Sequence, residues 1–303
     1  MSINFDGQVA IVTGAGRGLG RSHALALAAR GAKLVVNDLG DDSGVSGNAS
    51  AVVAEIEAAG GDAIAHGASV ADNAQVEDMV AQAMNKWGRV DILINNAGIL
   101  RDKTFAKMTL DDFRLVLEVH LMGTVNCTKA VWDIMRDRQY GRVVFTSSST
   151  GLYGNFGQAN YGAAKMAMVG LMNTLHLEGA KYNIRVNCLA PAAGTAMTDG
   201  LLPQAVFDML TPTSVSPGIV FLASENAPSR TILCAGGGGF AVHKAFETRG
   251  VNLLPDNVSA EGIAAAWDAI SDEEGMIALQ AGFEQTTKFA KLAAAKMGTD
   301  IGG

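Results

Sequence analysis

Ser148, Tyr161 and Lys165 are the residues whose types and spacing point most directly to chemistry. Tyr161 and Lys165 stand at i and i+4, so a helix carrying them presents both on one face. A free phenol has a pKa of about 10, and ionisation near neutrality needs a drop of roughly three units, about 4 kcal/mol. An adjacent ammonium shifts the phenol in that direction. Tyr161 can then exchange a proton with a carbinol or carbonyl oxygen, and Ser148 can hydrogen-bond and orient the same oxygen.

A second group is suited to a phosphate. The run Thr13-Gly14-Ala15-Gly16-Arg17-Gly18-Leu19-Gly20 links an apolar, β-branched segment to a helical pattern. Gly14 permits a tight turn, Gly18 lets the backbone approach a pyrophosphate, and Gly20 allows close helix–strand packing. The helix N-terminus adds free N–H groups and partial positive charge. Asp38 ends the next strand pattern, near the spacing expected of a ribose-binding acid. Its carboxylate would accept hydrogen bonds from ribose hydroxyls and repel a 2′-phosphate. Arg17 would face a 2′-phosphate or lie over the adenine, but Asp38 argues for NAD over NADP.

These residues need a scaffold, and the chain alternates the right elements. Strands are expected at 8–14, 33–38, 63–70, 90–98, 141–149, 184–191 and 230–239. Helices are expected at 18–30, 50–60, 73–87, 110–136, 159–180 and 214–224, with loop and short helix over 192–214. The strands are continuous apolar runs, as two-sided burial requires. The reading is α/β: a doubly wound, Rossmann-like parallel sheet over 1–249. Residues 250–303 form a C-terminal helical extension with amphipathic helices at 259–270 and 273–295, divided by Ser271-Asp272 as an N-cap. It packs on the same domain or on a partner subunit.

Composition narrows the class. The chain has 303 residues, 49% hydrophobic and 17% charged, enough for a large core. A net charge of −7 argues against non-specific nucleic-acid binding. Cys127, Cys188 and Cys234 are widely spaced with no CxxC, so neither a disulfide framework nor a zinc site is expected. His23, His66, His176 and His243 lack ligand spacing, and no metal is expected. No apolar run reaches the roughly 18 residues of a membrane span. The first residues do not read as a secretory leader, and TDIGG reads as neither a lipidation nor a peroxisomal address. The compartment expected is the cytoplasm.

TGAGRGLG (13–20), NNAG (95–98), Ser148, YGAAK (161–165) and the AP turn (190–191), in this order and spacing, resemble the short-chain dehydrogenase/reductase family. The resemblance implies hydride transfer between a nicotinamide and a substrate carbon. It implies that Asn96, Ala97 and Gly98 line the cofactor cleft and that Lys165 also binds the nicotinamide ribose. Ser69 and Val70, at the end of the third strand, join the cofactor set. The segment from Pro191 to Thr198 would meet the carboxamide, with Thr195 as the best candidate. The family usually has asparagine in the helix after NNAG, completing a proton relay; alignment places His120 there, and a histidine can also hold a water or shuttle a proton.

VVNDLG (35–40), NNAGILRDKTF (95–105), VHL (119–121) and SSSTGLYGNFGQANY (147–161) resemble a narrower group, the (3R)-hydroxyacyl-CoA dehydrogenase part of peroxisomal multifunctional enzymes of type 2. That resemblance implies a 3-hydroxyacyl-CoA substrate. The alternatives are a hydroxysteroid or steroid side-chain CoA ester, a 3-oxoacyl thioester reduced with NADPH, and a nucleotide-binding scaffold without activity. Met135, Met166, Met168 and Met172 would line an apolar pocket or pack in the core. Family members commonly form homodimers or homotetramers, which is the expectation here.

Overall fold

The computed structural model describes residues 2–41, 46–194 and 203–297. They form two compact units, 1–243 and 244–303. The first is one eight-stranded sheet in the order β3-β2-β1-β4-β5-β6-β7-β8. In chain order its elements are β1 (Val9–Val12), α1 (Gly18–Ala28), β2 (Lys33–Asn37), α2 (Gly47–Ala58), β3 (Ala63–His66), α3 (Asn73–Trp87) and β4 (Ile92–Asn95). Then come α4 (Leu110–Leu117), a π-helical turn (Glu118–Met122), α5 (Gly123–Asp137), β5 (Gly141–Thr146), α6 (Ser149–Tyr153) and α7 (Ala159–Gly179). β6 (Ile184–Pro191), α8 (Gln204–Met209), α9 (Pro212–Ala223), β7 (Ile232–Gly236) and β8 (Gly239–His243) complete it. Strands β1 to β7 are parallel and β8 returns antiparallel to β7.

Alternation along each strand divides the core in two. Ala10, Val12, Leu34, Val36, Ile92, Ile94, Val144 and Leu189 face α1, α2 and α9. Val9, Ile11, Val35, Leu93, Val143, Phe145, Val186 and Cys188 face α3, α5 and α7. Both faces are covered, which is why the strands read as unbroken apolar runs. Met135, Met168 and Met172 pack in the second core, and Met166 is exposed.

Four expectations change. The helix expected over 110–136 is interrupted by the π-helical turn, which periodicity alone cannot show. Ser148 does not lie in β5; it is the extended N-cap of α6, accepting from the Thr150 amide at 3.2 Å. The strand expected over 230–239 ends at Gly236, and Gly237 and Gly238, both at positive φ, turn the chain into β8. Helix does not run through 273–281. Ile277 instead pairs with Glu247 as an antiparallel bridge, and Asp272 accepts from the Glu274 amide in a turn.

The second unit carries α10 (Ala260–Ala265), α11 (Trp267–Ile270) and α12 (Gly282–Met297). Lys288 Nζ ties α12 to Glu247 Oε1 and the Thr248 carbonyl, each at 2.6 Å. Residues 204–223 are apolar enough by composition to span a membrane. They form two helices, and α9 packs on β5, β6 and β7.

One buried polar group joins α1 to α9. His23 Nδ1 lies 2.8 Å from Ser216 Oγ, which lies 2.7 Å from Ser22 Oγ. Burial draws the His23 pKa from the ordinary 6.5 to about 3. The folded chain thus resists a proton that the unfolded chain accepts. The sign follows from linkage: the stability difference is complete above pH 6.5 and is lost as the pH falls toward about 3. His23→Asn removes the titrating ring and should flatten the dependence of the urea midpoint on pH across that window. An unchanged slope would show that His23 does not carry it.

Candidate active site

The site lies beyond the carboxyl ends of the parallel strands, where the order reverses at β1 between β2 and β4. The loop after β1 packs directly on the turn after β4. Asn96 Nδ2 donates to the Thr13 carbonyl at 3.0 Å and the Gly14 carbonyl at 3.1 Å. The Thr13 hydroxyl accepts from the amides of Asn96 and Ala97 at 3.0 and 3.1 Å. Gly14 has φ +61°, and a Cβ there would lie 2.8 Å from Ala97 Cα. A Cβ on Gly20 would lie 2.1 Å from the Gly14 carbonyl oxygen.

This cradle suits a dinucleotide. Arg17 is extended and exposed, and no side chain caps the start of α1, so its first N–H groups face outward for an anion. Gly16 donates its amide to Asp38 Oδ2 at 2.7 Å, which sets a carboxylate against the glycine loop. Leu19 packs on the core below. Ser69 lines a cleft of about 1010 Å³ with Leu39, Gly40 and His66. Val70 is buried, its carbonyl accepting from Asn126 Nδ2 at 3.0 Å. Pro191 ends β6 in register with Ala235 of β7. Thr195 lies outside the described residues.

Helix α7 presents Tyr161 and Lys165 as the spacing requires, with Lys165 Nζ 5.4 Å from the centre of the Tyr161 ring. Lys165 is buried and donates to the Thr146 carbonyl at 2.6 Å. Burial pulls its pKa to about 7. Burial also raises the Tyr161 hydroxyl above its ordinary value, while the hydrogen bond with Ser148 acts the other way. The expected lowering of Tyr161 by Lys165 is therefore not what this geometry produces. Desolvation is the larger effect on both groups, because both leave water together.

His120 sits in the π-helical turn, which rotates its ring inward. Nε2 lies 2.7 Å from the Ile99 carbonyl oxygen and 3.0 Å from the Ile99 amide nitrogen. The ring meets Tyr161 edge-on, with centroids 5.2 Å apart at 88°. A Cβ on Gly98 would lie 2.2 Å from His120 Cε1, so the glycine of NNAG makes room for this ring. Burial, then the neighbouring Lys165, lowers the His120 pKa to about 3, so the ring is neutral.

The short chain dehydrogenase family profile matches residues 8–205. The chain belongs to the short-chain dehydrogenase family. It is 43% identical over 279 residues to peroxisomal multifunctional enzyme type 2 of Drosophila melanogaster, covering 89% of this chain and 46% of that protein. It is 46% identical to a short-chain type dehydrogenase/reductase of Mycobacterium tuberculosis, covering 88% of this chain and 95% of the relative. The solved full-length Drosophila enzyme superposes with a TM-score of 0.82 at 36% identity, over 97% of this chain and 50% of that one. A 7α-hydroxysteroid dehydrogenase complexed with NADH and 7-oxo glycochenodeoxycholic acid superposes with a TM-score of 0.70 at 30% identity, over 78% of this chain and 95% of that one. The chain spans about half the length of the multifunctional enzyme.

This short-chain dehydrogenase is an oxidoreductase acting on CH–OH groups. Its family works with NAD(P), and the glycine cradle fits such a group. Thr146, which no motif marks, contributes its carbonyl to Lys165. Thr13, already part of the glycine run, contributes its hydroxyl to amides remote in sequence, which no spacing signals. Gly20→Ala should disrupt the cradle, at about 1–3 kcal/mol for the overpacking. Its melting temperature should fall, and the rise in melting temperature expected of the wild type on adding saturating NAD(P) should be absent. Retention of that rise would show that the close approach at Gly14 is dispensable.

Proposed function

We propose that the chain is an NAD-dependent 3-hydroxyacyl-CoA dehydrogenase that oxidises a secondary alcohol to a ketone. The observation that carries the reaction is the convergence of Ser148, Tyr161 and Lys165 on one face, beside the cradle of Gly14, Gly18 and Gly20. When bound, the nicotinamide supplies the hydride acceptor. Ser148 holds the substrate oxygen, and its hydrogen bond with Tyr161 opposes the burial that favours the neutral phenol. Tyr161 takes the carbinol proton once its own has left, and Lys165, 5.4 Å from the ring, favours the ionised phenol when it carries its charge. Lys165 would also hold the nicotinamide ribose. His120 is a positioning residue: a single hydrogen bond between Nε2 and the Ile99 backbone keeps the ring edge-on to Tyr161.

Asp38 supports NAD over NADP, since its carboxylate stands beside the glycine loop where a 2′-phosphate would be repelled. The thioester class rests on the names of the relatives, a 3-oxoacyl-[acyl-carrier-protein] reductase of Synechocystis at 41% identity among them. A hydroxysteroid is the second reading, favoured by the 7α-hydroxysteroid dehydrogenase fold match. Several relatives are named peroxisomal, and the cytoplasm is retained as the compartment proposed from the sequence. A homodimer or homotetramer is proposed, because Trp267 and Phe283 leave apolar surface exposed at 58% and 77%. Sedimentation giving a monomer at micromolar concentration would refute it.

Absorbance assays with a (3R)-hydroxyacyl-CoA should show turnover with NAD exceeding that with NADP. Tyr161→Phe should lower kcat about 10²–10⁴-fold while NADH binding, followed by fluorescence, persists. Turnover of a hydroxysteroid alone would move the substrate assignment, and full activity in the variant would remove Tyr161 from the reaction.

A further inference from the structure

Next to the reacting groups lies a cavity of about 530 Å³ that the mechanism does not use. Its floor is a row of small side chains crossing three strands. Ala190 of β6 is in register with Cys234 of β7, and Cys234 with Ala241 of β8. Adjacent strands lie about 4.8 Å apart, so the row forms a flat floor about 10 Å across. It lies on the sheet face that α7 covers, the face to which Ala190 and Cys234 belong. The opposite wall is α6, which presents Leu152 and Tyr153.

The outer rim is closed by a specific contact. The Tyr153 hydroxyl lies 3.2 Å from His243 Nδ1, and the rings meet edge-on at 5.6 Å. Tyr153 is 71% exposed, so this contact is what orders its ring. The inner end adjoins the start of α6. Ser148 caps α6, and Ser149, the next residue, lines the cavity together with Pro191. A Cβ on Gly151 would lie 2.8 Å from Lys165 Cβ, so α6 is seated against the catalytic lysine.

We propose that this slot receives the aliphatic arm of the substrate, with the row Ala190–Cys234–Ala241 setting which chain lengths are accepted. The proposal rests on the acyl thioester reading and names the subsite for the part of the substrate remote from the reacting carbon. A floor of small side chains leaves room for methylenes, and each added methylene in a fitted apolar pocket changes discrimination by about 10-fold or more. Among the described residues no Asp, Glu, Lys or Arg lines the slot, so an acyl chain is favoured there over a phosphate.

The test uses the full chain and compares a short-chain with a long-chain 3-oxoacyl-CoA. Ala241→Leu, at the exposed sheet edge, and Cys234→Phe should each lower the ratio of long-chain to short-chain kcat/KM about 10-fold or more. An unchanged ratio in a folded variant overturns the proposal. A second measurement needs neither turnover nor a variant that folds. Cys127 and Cys188 are buried while Cys234 is partly exposed, so a thiol reagent should label Cys234 first. A long-chain acyl-CoA should protect Cys234, and CoA alone should not. Protection without turnover keeps the slot and removes the dehydrogenase substrate; equal labelling with and without the long-chain ligand removes the slot.

Discussion

The contact between the loop after β1 and the turn after β4 is the constraint on which the site depends. Two loops from adjacent parallel strands approach until backbone meets backbone, and Asn96 and Thr13 satisfy the polar groups that this approach buries. A buried N–H or C=O without a partner costs about 1–3 kcal/mol. Glycine is required at 14 and 20 because any side chain would occupy the space of the opposing backbone. Asp38 is held against the same loop by the Gly16 amide.

The electrostatics follow from burial more than from pairing. Lys165 and His120 are buried and Tyr161 is partly buried, and each moves toward its neutral form. The phenol rises and the amine falls to about 7, both chiefly through desolvation. The π-helical turn contributes by aiming His120 at Ile99, and Gly98 by leaving room for its ring. This histidine meets Tyr161 through an edge-on ring contact.

The proposed slot lies on the sheet face covered by α7, the helix that carries Tyr161 and Lys165. Burial of α7 against β5 and β6 sets the reactive residues, while the extra antiparallel strand widens the floor next to them. Parallel strands alone would end the sheet at β7. The glycine turn after β7 makes a hairpin possible, and the hairpin brings His243 within reach of Tyr153.

The alternating elements, the glycine loop and the shared face of Tyr161 and Lys165 were legible in the chain before any coordinates. They depend on local periodicity and on residue types that few other conformations tolerate. His120 and Gly98 were legible too, but not that one needs the other. The inward turn at His120, the cap formed by Ser148, the strand after the four glycines and the broken helix near Ile277 emerged only on folding. Each depends on packing or pairing that local periodicity does not encode. Folding also set the sign of the shift at Tyr161, because desolvation is a property of everything packed around a group and not of its spacing from a lysine.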